Sequence, residues 1–208
     1  MSLTDTVTRT ADTSFPLLPA LAERWSPRAF DTEAAIDDDK LTAALEAARW
    51  SPSANNSQPW RFIVARRGTE AFDAIVANLM GFNQMWAGAA GALVVALAEA
   101  VDAEGNERRW ATYDVGQAVA HFSVQAHHDG LHTHQMGGFD AAGIRAAFDV
   151  EERFVPVSVT AVGMLGDVDA LPEPLREREI GHRAAGDDRH LPRISVDHPD
   201  QEIGGGLG

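Results

Sequence analysis

The chain has 208 residues, 45% of them apolar, with 17 Lys and Arg against 31 Asp and Glu, for a net charge of −14. That length fits one domain with a real core, and the acidic balance argues against nucleic acid or an anionic membrane as partner, because phosphate contacts need clustered cations. Cysteine is absent, which excludes disulfides and thiolate chemistry and fits a cytoplasmic protein.

Residues 1–20 are polar and Thr-rich and read as a loosely attached N-terminal arm. Met1-Ser2-Leu3-Thr4-Asp5 lacks the basic region and apolar stretch of a leader peptide. Arg24-Trp25-Ser26-Pro27-Arg28-Ala29-Phe30 follows, a compact cationic site with a hydroxyl between two arginines and an aromatic at either side. Arginine's planar fork of donors suits a phosphate or the carbonyl edge of a heterocycle.

From Asp37 to Trp50, Leu41, Ala44, Leu45 and Ala48 fall at helical spacing behind an Asp run that favours a helix N-terminus. The next ten residues, Ser51-Pro52-Ser53-Ala54-Asn55-Asn56-Ser57-Gln58-Pro59-Trp60, form neither a good helix nor a good strand. They expose donors and acceptors beside a flat aromatic surface, which suits a planar polar ligand. An ordinary helix-to-strand connection has the same composition.

Arg61–Ala65 reads as a short buried strand, Glu70–Met80 as a helix with Phe72, Ile75, Val76 and Leu79 inward, and Gly91–Leu97 as a central strand. The candidate for the longest apolar stretch, Ala87–Ala98, falls short of the roughly 20 residues a membrane span needs. Ala100–Arg109 is a polar connection. Tyr113–Asp129 is the clearest helix, with Val115, Ala118, Val119, Phe122 and Ala126 as its stripe and Gly130 as its stop. Leu131–Met136 is extended, Asp140 caps a helix running through Phe148, and Phe154–Leu165 is a strand. After Asp167 the composition shifts to Pro, Arg, Glu and His, and residues 197–208 read as a disordered tail. Strands separated by helices give an α+β or α/β layer fold.

His121 and His128 share a face of the long helix, and His132 and His134 alternate on the strand after it, so the four could converge on a metal. No HExxH pattern or nearby acidic ligand supports a metal enzyme, and most of these histidines are expected at the surface or an interface.

The segments at Arg24–Phe30 and Ser51–Trp60 together resemble the flavin-dependent nitroreductase family. In that family an Arg-x-Ser-x-Lys/Arg-x-Phe segment and a helix precede a Ser-Pro-Ser-x-x-Asn-x-Gln-Pro-Trp loop and a strand. The resemblance runs from about Leu21 to the region of Ser195, so residues 21–196 are expected to form the domain. It implies an α+β fold with a mixed central sheet wrapped by helices, in an extensive homodimer with two flavin sites at its interface. It also implies FMN as cofactor, NAD(P)H as electron donor and a nitroaromatic, quinone or related small molecule as acceptor. The missing Gly-x-Gly-x-x-Gly fingerprint agrees with a mononucleotide held by side chains.

By resemblance, Arg24 and Ser26 lie on the phosphate and ribityl side of the cofactor and Arg28 at the pyrimidine edge, with Trp25 also among the cofactor-binding residues. Pro52, Ser53, Ala54 and Asn56 match the loop that reaches the partner subunit's flavin. Asn83 matches a residue contacting the ring, though a helix-end role is open to it. Gly137 and Gly138 match a segment whose backbone N–H faces flavin N5; many relatives carry Glu at the first position. Arg189, then Arg183, would supply the second phosphate cation. Trp86 stands where some relatives have Lys, and with Trp110 and Tyr113 it is expected to wall the acceptor pocket. A flavin-binding or storage protein without redox activity is the other reading on the same fold.

Overall fold

The structure, a computed structural model, describes residues 10, 11 and 13–184. Along these residues the chain forms α1 (Pro19–Glu23), α2 (Asp38–Arg49), β1 (Trp60–Arg66), α3 (Glu70–Ala77), α4 (Gly81–Ala87), β2 (Ala92–Glu99), α5 (Ala111–His128), β3 (His132–Met136), α6 (Ala141–Ala147), β4 (Phe154–Gly163) and α7 (Glu173–Ala184). Three of the helices start at side-chain caps. Asp37 accepts from the backbone N–H of Asp39 and Lys40, Thr69 from that of Phe72, and Asp140 from that of Ala142.

The four strands lie in the order β1-β2-β4-β3, and every pairing is antiparallel. The expected mixed sheet is therefore not what the described residues form, although the α+β class and the helical wrapping hold. The reason lies in the connections. The end of β1 at Arg66 pairs with the start of β2 at Ala92, so α3 and α4 return the chain to the end it left.

Residues of β2 alternate between two cores. Leu93, Val95 and Leu97 pack with Phe72, Ile75, Trp86, Ile144 and Leu175 on one side. Val94, Ala96 and Ala98 pack with Leu41, Ala44, Val115, Ala118 and Phe122 on the other. Both faces are covered, which is why this strand is an unbroken apolar run in the sequence. Between Ala96 and Leu97 the register with β4 slips by one residue, so Val157 is extra, beside a proline that has no N–H to give the ladder.

Three helices differ from the sequence reading. The apolar pattern beyond Glu70 breaks at Asn78, whose carbonyl is taken by the Asp140 N–H at 2.7 Å, and the chain restarts as α4. α1 packs on α5, and α7 covers the first core with Leu175. No helix among the described residues is long and apolar enough to cross a membrane.

Candidate functional site

The Arg24–Phe30 segment is tied down at its C-terminal end. Phe30 forms a bridge with Leu165, the Asp31 N–H donates to the Met164 carbonyl, and the Gly166 N–H donates to the Ala29 carbonyl. A Cβ on Gly166 would sit 2.4 Å from the Phe30 carbonyl group, so the two backbones meet at a distance only glycine permits. At the segment's centre, His134 on β3 reaches the Pro27 carbonyl with Nδ1 at 2.9 Å, which places the proton on that nitrogen. Arg24 and Ser26 are exposed, Trp25 is half-buried, and the Arg28 side chain is 13% exposed.

Arg28 faces Glu179 of α7. Its backbone N–H donates to Glu179 Oε1 at 3.1 Å, and its Nη1 lies 3.6 Å from Oε2. Its guanidinium carbon lies 5.8 Å from the centre of the Phe82 ring, and that of Arg178 lies 5.0 Å from the same ring. Arg28 Nε is buried and has no hydrogen-bond acceptor among the described residues.

Next to Phe82, Asn83 donates through Nδ2 to the Gly138 carbonyl at 2.9 Å, and the Met80 N–H donates to the same oxygen at 3.0 Å. A Cβ on Gly138 would come within 3.0 Å of Asn83 Nδ2, whereas one on Gly137 would meet nothing within 4 Å. Gly137 thus presents bare backbone to open space, while Gly138 is held against α4.

The loop between α2 and β1 is unusual backbone. Asn55, Asn56 and Gln58 adopt φ values of 54°, 53° and 45°. Asparagine tolerates this left-handed region better than most residues. Glutamine has no such ease, and such residues persist where the surroundings over-determine them. Here Ser53 Oγ accepts the Gln58 N–H at 3.0 Å, and Asp114 Oδ2 accepts the Ala54 N–H at 3.0 Å. Arg108 donates to the Ser57 carbonyl at 3.0 Å while pairing with the buried Glu99. Pro52, Ser53 and Ala54 share a cavity of about 260 Å³ with Trp110, Tyr113, Asp114 and Gln117. Asn56 lines a separate groove of about 640 Å³ along β1, with Arg49, Arg61 and Trp60.

One assignment changes. Trp86 does not wall a pocket: it is 2% exposed and packs in the core on Phe30, with ring centroids 6.2 Å apart, and on His134 at 4.5 Å. An indole has too much apolar surface to stay at a cleft when the inward face of α4 offers burial. The histidines do not converge either. His121 and His128 are exposed, His134 is engaged with Pro27, and His127 meets His132 edge-on at 5.3 Å. Among the described residues no group of three or more His, Cys, Asp or Glu could hold a metal ion. Trp110 and Tyr113 do stand at a cavity, edge to face with centroids 6.4 Å apart. Arg189 lies outside the described residues, as does the side chain of Arg183.

Two residues with clear roles escaped the sequence reading, Glu179 and Asp114, as did the link from His134 to Pro27. Asp114 carried a signal, a carboxylate on the buried stripe of an amphipathic helix. Glu179 carried none, because α7 itself was not recognised.

A family model described as the nitroreductase family matches residues 21–164. The chain belongs to the nitroreductase family. A solved structure described as an oxidoreductase containing FMN superposes with a TM-score of 0.78 at 35% identity, covering 83% of this chain and 88% of that one. An uncharacterized 15.4 kDa protein in the ask 5′ region of Mycolicibacterium smegmatis is 37% identical over 57% of this chain and 84% of its own length. A Bacillus subtilis (strain 168) protein with the provisional name NAD(P)H nitroreductase YdgI is 26% identical over 69% of this chain and 86% of its own. The nitroreductase fold is thus shared across the matched region, with β2 and β4 at its centre.

Arg28 and the Gly137–Gly138 backbone fit the FMN named for the related oxidoreductase structure. A buried guanidinium N–H lacking an acceptor suits the carbonyl-rich pyrimidine edge of a flavin, and the bare backbone at Gly137 gives a planar ring room to approach.

Proposed function

We propose that this nitroreductase-family protein is an FMN-dependent oxidoreductase that takes electrons from NAD(P)H and passes them to a nitroaromatic, quinone or related small acceptor. The observation that carries the reading is the buried Nε of Arg28, without an acceptor among the described residues, on a guanidinium that faces the ring of Phe82, the neighbour of Asn83 on α4. When bound, FMN supplies the two-electron chemistry at N5.

The chain's own part is to bind, orient and exclude. Arg24 and Ser26 are exposed and free to reach a phosphate and its ribityl chain, with Arg189 or Arg183 as a second cation and Trp25 alongside. Arg28 holds the pyrimidine edge. Asn83 fixes the Gly138 carbonyl, which orients the Gly137–Gly138 backbone towards the ring. No side chain is assigned as general acid or base.

The cavity that Pro52, Ser53 and Ala54 share with Trp110 and Tyr113 has neither Arg28 nor Asn83 in its wall. That separation supports a homodimer in which the loop, Asn56 included, and the two aromatics serve the flavin held by the partner's Arg28. Trp110 and Tyr113 then offer flat surfaces to an aromatic acceptor above the ring.

Reconstitution of the purified full-length chain with FMN, followed by sedimentation, tests this reading. One FMN per chain in a dimer is expected. A chain that takes up no FMN, or a flavin-loaded and active monomer, would contradict it.

A further inference from the structure

Glu179 is 0% exposed, and its carboxylate is turned towards Arg28. A carboxylate at such depth is costly unless charge and hydrogen bonds compensate it, and neither the Arg24–Phe30 nor the Ser51–Trp60 motif calls for one. Its two oxygens do different things. Oε1 takes the Arg28 backbone N–H at 3.1 Å, which fixes where the side chain begins. Oε2 stands 3.6 Å from Nη1, longer than the 2.7–2.9 Å of a charge-assisted hydrogen bond. The guanidinium is thus attracted without being locked in a bidentate fork, and its Nε stays available. Arg178, the neighbour of Glu179 on α7, shares the Phe82 ring with Arg28, so a carboxylate here also makes two nearby cations compatible.

We propose that Glu179 is a positioning residue that anchors Arg28 beside the flavin and offsets part of its charge, holding the cofactor's reduction potential below the value a lone arginine would set. The proposal rests on the reading that Arg28 faces the flavin. A flavin that takes up two electrons and one proton gains a negative charge on its pyrimidine side. A cation there favours the reduced form and a carboxylate behind it favours the oxidised form, each through Coulomb interaction in a weakly screened site. The native pair sets an intermediate value.

Glu179→Gln keeps an oxygen for the Arg28 N–H and removes the charge, so an anchoring role alone would leave the potential unmoved. Redox titration of the full-length, FMN-loaded protein against dyes of known potential reads the difference. Glu179→Gln is expected to favour reduction at least tenfold over native, an upward shift of about 30 mV for a two-electron couple. Arg28→Gln is expected to fall below native, and Arg28→Gln/Glu179→Gln to lie above Arg28→Gln.

Bound FMN with an unchanged or lower potential in Glu179→Gln overturns the proposal. If that variant does not fold, equal potentials in Arg28→Gln and the double variant overturn it instead. Failure of the native chain to bind FMN at all would remove the functional reading together with this one, whereas an unmoved potential removes this one alone.

Discussion

Asp114 on the first turn of α5 accepts the Ala54 N–H through Oδ2 at 3.0 Å, joining the long helix to the strained loop before β1. Asp114 is 3% exposed, and its other oxygen is met by Gln117 Nε2 at 3.5 Å. One buried carboxylate thus holds the middle of a loop that has three left-handed residues just beyond it.

Asp114→Ala removes a hydrogen bond to a charged acceptor and leaves the Ala54 N–H unpaired. A loss of about 1.5–3 kcal/mol in urea unfolding is expected. Limited proteolysis should also gain a cleavage site within residues 51–58, which a change confined to α5 would not produce.

Gly166 lets the end of β4 press against Phe30, and a methyl group there has no room. Gly166→Ala is expected to cost about 1–3 kcal/mol through overpacking and backbone displacement. Because the same contact places Arg28, FMN affinity should fall with it, as read by fluorescence titration of the folded variant.

Much of this arrangement was legible in the residues. The uninterrupted apolar run of β2, the stripe of α5, the acidic start of α2 and the cap at Asp140 each follow a periodicity or a helix-end rule that acts locally. The antiparallel sheet was not legible, since strand direction is set by where α3 and α4 return the chain. α7 escaped because half of its residues are charged, Leu175 and Glu179 being buried by tertiary packing rather than by any helical stripe. Trp86 misled for a related reason: its chemistry suits a pocket wall, and only the position of α4 against Phe30 and His134 sends it inward. The motifs located the candidate site, but its electrostatics depend on a carboxylate about 150 residues away, which no local pattern encodes.

Trp110 and Tyr113 are 54% and 65% exposed, far more than the core residues of α5. Trp110→Ala and Tyr113→Ala are therefore expected to leave stability within about 0.5 kcal/mol of native. Their effect should appear in turnover instead, as a raised KM for aromatic acceptors with little change for NAD(P)H. Equal KM values for native and variant proteins across nitroaromatic and quinone acceptors would place the acceptor elsewhere.

His127, half-buried beside His132, has its pKa lowered chiefly by burial and also by Arg24, while Glu23 raises it. The folded state therefore binds this proton less readily than the unfolded state. The stability it contributes is present above the unfolded pKa of about 6.5 and declines as pH falls below that. Thermal midpoints measured from pH 7.5 down to 5.5 should fall less steeply in His127→Gln than in the native chain. Parallel slopes would show that His127 titrates alike in both states.

The most direct measurement is the visible spectrum of the purified, FMN-reconstituted protein under anaerobic conditions, before and after addition of NADH or NADPH. The expected result is a yellow protein whose flavin absorbance bleaches on addition of a reduced nicotinamide and returns when a quinone or nitroaromatic is supplied. Flavin that binds but keeps its colour with both nicotinamides would mark a storage or binding protein on the nitroreductase fold and contradict the oxidoreductase assignment.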